Sequence, residues 1–207
     1  MTQTDAPRSA GPPTSGPWSA RECELLAVTL RLLQEHGYER LTVDAVASEA
    51  RASKATVYRR WPSKAELVLA AFIESVRQVA VTPETGTLRG DLLQLGEVCC
   101  AQGYQHASTI RAVLVEVSRH PALSDALQHQ FLDQREAVVR HILQQAVDRG
   151  EIAEAALPDE LWDLMPNYLI FRTIIPGQPP NRDTVRRLVD AFILPGLTRG
   201  AGSQRSH

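Results

Sequence analysis

Apolar residues recur every three or four positions along most of this chain, and this spacing constrains the fold more than any other feature. From residue 19 to residue 36, for example, one stripe of a predicted helix carries Leu25, Val28, Leu32 and Leu33. No segment shows the strict alternation of a half-buried strand, and no internal repeat is visible. The sequence therefore predicts an all-α fold.

Bulk composition is that of an ordinary globular chain. The 207 residues are enough for one large domain or two small ones, and 43% of them are hydrophobic and 22% charged. No apolar run approaches the roughly 20 residues that span a bilayer, and no signal peptide is visible at the N-terminus. We therefore expect a cytoplasmic protein with no membrane partner.

Proline and glycine punctuate the chain and suggest its division into parts. Residues 1–17 are rich in Pro, Gly, Ser and Thr, which predicts a disordered arm, and residues 199–207 predict a flexible tail. The segment from Val81 to Gly90 also contains Gly and Pro, and it predicts a boundary between two parts of the chain. We expect an N-terminal unit over residues 18–80, including a linking helix over 63–80, and a C-terminal antiparallel helical bundle over 81–198.

Capping residues predict two short helices in the N-terminal unit. Thr42 is suited to begin a helix over residues 43–50, and Ser53 to begin another over residues 54–61. A Ser-x-x-Glu capping box at residues 63–66 opens the linking helix. Two short helices joined by a turn of three or four residues form a helix-turn-helix.

Positive charge is concentrated in the second of these helices. The net charge of the chain is −2, yet no acidic residue lies between Glu49 and Glu66. The same stretch contains Arg51, Lys54, Arg59, Arg60 and Lys64. A local basic patch on a mildly acidic chain is typical of an element that reads DNA. A solvated charged face is the alternative interpretation.

The second short helix has two different faces. Val57 and Trp61 are four residues apart and should face the core. The opposite face, which should meet the major groove, carries Lys54, Ala55, Tyr58 and Arg59. Residues better suited to phosphate contacts are Thr42, Ser53, Tyr58 and Lys64.

Residues 42–50 and 53–67 together resemble the signature of the TetR family of regulators. That signature has the form T-V-x-x-I-A-x-x-A-G-V-S-x-x-T-[LIV]-Y-x-[HR]-[FW]-x-[SN]-K-x-x-L, and Gly37-Tyr38 matches the expected end of the preceding helix. Residues 60–66, Arg-Trp-Pro-Ser-Lys-Ala-Glu, are similar to one subgroup of the family. The resemblance implies an all-helical homodimer, a repressor that binds palindromic operator DNA and is released by a small molecule.

One position departs from that signature. The turn glycine of the family is Arg51 here, and the aliphatic residue after it is Ala52. If the turn requires a positive φ, Arg51 adopts it at a cost of about 1 kcal/mol. Arg51 can then offer a phosphate contact, or it is an exposed arginine with no role. The candidate DNA-contacting residues are Thr42, Arg51, Ser53, Lys54, Ala55, Thr56, Tyr58, Arg59 and Lys64.

The resemblance also implies that the last two long helices, about residues 158–175 and 182–196, pair with those of a second copy as a four-helix interface. Ordinary packing within one chain is the alternative for each apolar residue there. The interface candidates are Leu161, Leu164, Tyr168, Phe171, Leu188, Phe192 and Ile193.

A ligand pocket is expected inside the C-terminal bundle, because apolar and polar residues of the kind that line pockets cluster there. Core packing is again the alternative. The candidates are Trp162, Met165, Asn167 and Tyr168, with Cys99, Tyr104, Leu114 and Phe131 from other helices. The expected ligand is small and hydrophobic.

Motifs of catalysis and metal binding are not visible. The sequence has no nucleophile motif, no Gly-rich phosphate loop and no EXXH pattern, and its histidines lack metal-ligand spacing. Cys99 and Cys100 read as small core residues, with a redox switch as the alternative. We therefore expect a regulator without cofactor or metal, not an enzyme. The alternatives are a DNA-binding regulator without a small-molecule ligand and an enzyme built on a helical bundle.

Overall fold

The computed structural model describes residues 17–77, 82–153, 161–175 and 179–199. Throughout these ranges the regular secondary structure is helical and contains no strand, so the predicted all-α fold is confirmed. The predicted arm before Pro17 and the predicted tail from residue 200 onward lie outside the described residues. None of the described helices combines the length and the apolar character that crossing a membrane needs.

The described helices follow one another in a simple order. They are α1 (Ala20–Arg40), α2 (Val43–Glu49), α3 (Lys54–Arg60), α4 (Lys64–Arg77), α5 (Leu88–Val117), α6 (Pro121–Leu127), α7 (Asp133–Asp148), α8 (Leu161–Ile174), α9 (Arg182–Leu188) and α10 (Leu194–Arg199). Short π-helical segments, Gln128–Leu132 and Val189–Ile193, join α6 to α7 and α9 to α10.

Short polar side chains begin the helices of the N-terminal unit. Thr42 Oγ1, Ser53 Oγ and Ser63 Oγ each accept a hydrogen bond of 3.1 Å from the backbone N–H three residues further on. A cap of this kind typically contributes about 1 kcal/mol, because it satisfies an N–H that has no partner within the helix. The caps predicted at these three positions are therefore present.

Helix α4 is buried on most of its surface. Its buried residues are Leu67, Val68, Leu69, Ala70, Ala71, Phe72, Ile73, Glu74 and Val76. It packs between α1 of the N-terminal unit and α5 of the bundle. A surface helix buries only one stripe, whereas α4 is enclosed by both parts of the protein. It is therefore the structural connection between them.

Two apolar cores share helix α5. The first contains the inward residues of α1 to α4 together with Ile110 and Val113 of α5 and Leu123 of α6, so it extends across the boundary predicted near residue 81. The second joins the N-terminal half of α5 to α7, α8, α9 and α10, with Ile142 and Leu169 fully buried. The N-terminal unit is thus packed against the bundle rather than tethered to it.

A kink at His106 allows α5 to serve both cores. The backbone of His106 departs from helical values, with φ −114° and ψ 16°. Its buried ring packs edge-on against Phe72 of α4, with 6.0 Å between the ring centroids. The residues before the kink belong to the second core and those after it to the first.

Close approach of α5 and α9 depends on Gly96. A Cβ at this position would overlap Val185 Cγ1 of α9 and would lie 3.3 Å from Met165 Sδ of α8. We expect Gly96→Ala to destabilise the protein by about 1–3 kcal/mol, since overpacking a filled core costs that much. The free energy of unfolding, measured by urea denaturation, checks this.

Gly196→Ala is the matched control. This glycine is also helical, but a Cβ there would meet nothing within 4 Å. It should be neutral or stabilising by up to about 1 kcal/mol through the higher helix propensity of alanine. Equal effects of the two substitutions would contradict the packing described for α5 and α9.

Candidate nucleic-acid interface and ligand cavity

The helix-turn-helix is anchored from its inner face. Val57 of α3 is fully buried and Trp61, directly after α3, is 3% exposed, which confirms that both face the core. Val46 and Ala47 of α2 are buried against the same core. Because these four side chains point inward, the rest of α3 is presented on the outside of the molecule.

The turn between α2 and α3 contains the only non-glycine residue with a positive φ in the described part of the chain. Arg51 has φ +51°, in the left-handed region that glycine occupies at less cost. The turn is closed by the Ala52 N–H, which donates to Ala47 O at 2.8 Å. Arg51 is therefore a tolerated departure, in which an arginine adopts the conformation suited to glycine.

Two arginines link the helix-turn-helix to α1, namely Arg21 of α1 and Arg60 at the end of α3. The guanidinium of Arg21 donates to the carbonyl oxygens of Ala50 and Arg51, at 3.1 Å for the second. Arg60 Nε donates to Glu22 Oε1 at 2.6 Å. These contacts fix the turn and the end of α3 relative to α1. Sequence reasoning did not identify Arg21, because no local pattern distinguishes it from an ordinary exposed arginine.

The residues predicted to contact DNA lie on the outer surface of this motif. Tyr58 is 40% exposed, and Lys64 at the start of α4 is partly buried. Lys64 Nζ donates to Tyr38 O at 3.0 Å and lies 4.2 Å from the centroid of the Tyr38 ring. The other candidates are exposed: Thr42, Arg51, Ser53, Lys54, Ala55, Thr56 and Arg59.

Lys54 is paired within the free protein. Its Nζ lies 2.8 Å from Asp44 Oδ1 of α2, and this hydrogen bond raises the pKa of Lys54. Arg51 and Arg59 have no ion-pair partner among the described residues. A phosphate approaching α3 therefore meets free guanidinium groups at once, but it must compete with Asp44 for Lys54.

An apolar cavity lies between α4, α5 and α7. Its volume is about 130 Å³. Apolar side chains from these three helices line it, among them Ile73, Val76, Leu95, Val98, Val138 and Val139. Ile73 and Val76 belong to α4, so a molecule in the cavity would touch the helix that joins the two cores.

Some of the predicted ligand-binding residues line the cavity, and others do not. Cys99 and Phe131 line it, and Met165 is buried nearby in the second core. Tyr104, Leu114, Asn167 and Tyr168 instead lie exposed and outside the wall, with Tyr104 78% exposed. Successive helical residues are rotated by about 100°, so five positions beyond the inward Cys99 the helix presents Tyr104 outward. The side chain of Trp162 lies outside the described residues.

Polar residues of the wall were not predicted. Arg135 Nη2 donates to Gln102 Oε1 at 2.5 Å, and Gln102 Nε2 donates to Val76 O of α4 at 3.3 Å. The guanidinium also lies 4.7 Å from the centroid of the Phe131 ring. The available signal was a cation on an apolar stripe, since Arg135 shares a helical face with Phe131 and Val139.

The adjacent cysteines behave as core residues in this structure. Cys99 is buried and Cys100 is half-buried, and both are free thiols. Burial raises the pKa of the Cys99 thiol and raises that of Cys100 to about 11. Because the thiolate is the reactive form, these environments favour the interpretation as small core residues over a redox switch.

Four of the predicted interface residues are large exposed apolar or aromatic side chains: Leu164, Tyr168 and Phe171 share one face of α8, and Phe192 lies in the π-helical segment before α10. Leu164 is 46% exposed, Tyr168 39%, Phe171 62% and Phe192 68%. Ile193 is instead buried within the chain, and Leu188 is partly buried, because both point toward the second core. The side chain of Leu161 lies outside the described residues.

Comparisons with known proteins cover both parts of the chain. The family model described as "Bacterial regulatory proteins, tetR family" matches residues 25–71, and "Tetracyclin repressor-like, C-terminal domain" matches residues 82–192. An HTH-type transcriptional regulator of Mycobacterium tuberculosis is 74% identical over 191 residues, which cover 92% of this chain and 95% of that protein.

Two further relatives are more distant. The DNA-binding transcriptional repressor TetR of Mycobacteroides abscessus is 33% identical over 185 residues, which cover 87% of this chain and 96% of that protein. The crystal structure of a TetR family transcription regulator matches with a TM-score of 0.74 at 26% identity, covering 86% of this chain and 98% of the other.

The conformation of Arg51 has a measurable cost. We expect Arg51→Gly to stabilise the protein by about 0.5–1 kcal/mol, because glycine adopts a positive φ without the Cβ penalty, partly offset by its greater freedom when unfolded. Urea denaturation measures the difference. Ala52→Gly, one residue away and without a positive φ, is the control and should destabilise the protein. A less stable Arg51→Gly variant would show that the turn imposes no strain.

Proposed function

This chain belongs to the TetR family of bacterial transcriptional regulators, and on that premise we propose that it is a homodimeric repressor released from its operator by a small molecule. It is a DNA-binding regulator rather than an enzyme, and the resemblance noted in residues 42–67 is confirmed at the level of the family. The repressor role, the dimer and the ligand are the proposed part.

The observation that carries this proposal is that α3 has a buried inner face and an exposed outer face. Val57 anchors its inner side in the core, while Lys54, Ala55 and Tyr58 stand exposed on the outer side. A short rigid helix with a small residue and cations on its outer face fits the major groove. We propose that Ala55 approaches base edges and that Thr42, Arg51, Ser53 and Thr56, with Tyr58, Arg59 and Lys64, contact the backbone or neighbouring bases.

A dimer would present two copies of α3 to one face of the duplex. Two recognition helices enter successive major grooves when they are about 34–36 Å apart. We propose that the exposed apolar surface of Leu164, Tyr168, Phe171 and Phe192 packs against its counterpart in the second copy. Several large exposed apolar side chains, three of them on one face of α8, are unusual on a monomer, and burying them stabilises association.

Release would follow from the position of α4. The cavity is lined by Ile73, Val76 and Arg77 of α4, so an occupant contacts the helix that carries the DNA-reading unit. A ligand that binds better when α4 is displaced lowers DNA affinity by thermodynamic linkage. This contact favours a ligand-responsive regulator over one without a small-molecule ligand.

We also propose that residues 18–80 form the DNA-binding part and residues 81–198 the ligand-binding and dimerisation part, and that the protein acts in the cytoplasm.

The DNA contacts can be tested on the stretch flanking the gene for this protein. Footprinting should reveal a palindromic site with half-sites about 10–10.5 bp apart or a multiple of that distance.

Lys54→Ala and Tyr58→Ala should each raise the Kd for this site about 10-fold or more in fluorescence anisotropy. Lys54→Ala should also reduce the slope of log K against log salt by about one, if Lys54 replaces a phosphate counterion.

Arg111→Ala is the matched control for these variants. Arg111 is an exposed arginine of α5, which is not part of the helix-turn-helix, and its loss changes the net charge by the same amount as Lys54→Ala. DNA affinity should stay within about twofold of the wild type. If Lys54→Ala and Tyr58→Ala bind like Arg111→Ala, α3 is not the reading element.

The dimer can be tested separately. Phe171→Asp and Phe192→Asp should convert the dimer to a monomer, since each would place a charge in an apolar interface, and light scattering after size exclusion gives the mass. Operator binding should weaken in parallel. Tyr104→Asp changes a more exposed aromatic residue of α5, which is not one of the four proposed interface residues, and should leave the dimer intact. Dimers that persist in both phenylalanine variants would place the interface elsewhere.

A further inference from the structure

The cavity beside α4 contains a positive charge that no described carboxylate neutralises. Arg135 projects into it from α7, and its guanidinium contacts Gln102, Cys99 Sγ at 3.8 Å and the Phe131 ring. Within residues 17–77, 82–153, 164–175 and 179–197, where the side chains are described, no carboxylate forms an ion pair with it. The contacts hold the guanidinium in place without cancelling its charge.

The second arginine of the cavity is different. Arg77 of α4 forms an ion pair with Glu74, which is buried in the same helix, and Arg77 Nε donates to Glu74 Oε2 at 3.1 Å. That pair has no net charge. Gln102 is neutral by nature, and burial raises the pKa of the Cys99 thiol, so Cys99 is neutral near pH 7. The described wall of the cavity therefore has a net charge of about +1 from Arg135.

A cation beside apolar walls favours an anion as its partner. Charges interact more strongly beside apolar walls than in bulk water, and Arg135 is half-buried there. A guanidinium also offers parallel N–H donors that match the two oxygens of a carboxylate. Gln102 and Cys99 contact the guanidinium of Arg135 and hold it in position, but they do not neutralise its charge.

We propose that the cavity binds a small organic acid, with its apolar body between the valines of α5 and α7 and its carboxylate on Arg135. The inference rests on the proposed ligand-responsive function and names the chemical class of the ligand. The volume, about 130 Å³, is comparable to the roughly 150 Å³ apolar cavity that accommodates benzene. The body of the acid is therefore about the size of one ring or a short alkyl chain. A cationic ligand of the same size is repelled by Arg135.

The test compares acids with neutral molecules of the same shape. The probes are benzoate, phenylacetate and hexanoate, each paired with its amide, titrated into the full chain near pH 7 by calorimetry or ligand-observed NMR. At least one acid should bind about 10-fold or more tightly than its amide, as expected for a hydrogen bond to a charged group. In Arg135→Gln this ratio should fall to within twofold of one, whereas Arg135→Lys should retain part of it.

Arg140→Gln provides the matched control on the same helix. Arg140 is exposed and pairs with Glu136, and it is not part of the cavity wall. Its replacement removes the same charge and should leave the preference for the acid unchanged. The proposal is overturned if no acid binds more tightly than its amide to the wild type, or if the preference persists in Arg135→Gln.

These outcomes are separable from those of the proposed function, because binding is measured without DNA. If a neutral compound releases the operator while no acid is preferred, the regulatory proposal stands and the ligand class is wrong. If an acid binds through Arg135 and leaves the DNA complex intact, the ligand class stands and the proposed release is wrong.

Discussion

The burial of α4 between two cores is the constraint on which the rest of this structure depends. Leu67 and Val68 bind it to the DNA-reading unit, whereas Ile73 and Val76 form part of the wall of the cavity. Since the same helix takes part in both environments, the orientation of α3 and the shape of the cavity cannot be set independently. Under the proposed function, α4 would couple DNA recognition by α3 to ligand binding in the cavity.

The cations of the helix-turn-helix are found in three kinds of charge environment. Arg60 is committed to Glu22 of α1 and serves to position α3. Lys54 is paired with Asp44 at the exposed surface, where an ion pair is worth little in water and can be exchanged. Arg51 and Arg59 are free of described ion pairs. The surface therefore combines fixed, exchangeable and free cations within one short motif.

Local patterns allowed the helices, the caps at Thr42 and Ser53, and the inward faces of Val57 and Trp61 to be predicted, because each depends on neighbours within one or two turns. The cavity depends on how distant helices meet, and there the predictions were mixed. Cys99 and Phe131 were correctly predicted to line the cavity. Tyr104 was also predicted there but faces outward, because the direction in which α5 presents it depends on how α5 packs against α4 and α7. Arg135 was missed because a charged residue in a largely apolar wall runs against the usual rule for cores.

The hydrogen bond from Gln102 to Val76 O connects the cavity to the backbone of α4, and Arg135 holds the other end of the same amide. Close-packed interiors do not deform continuously; they repack between discrete arrangements. If a ligand displaces α4 as we propose, an individual molecule would therefore hold this amide in one arrangement or the other. A graded response in a cell would then reflect the proportion of molecules in each arrangement.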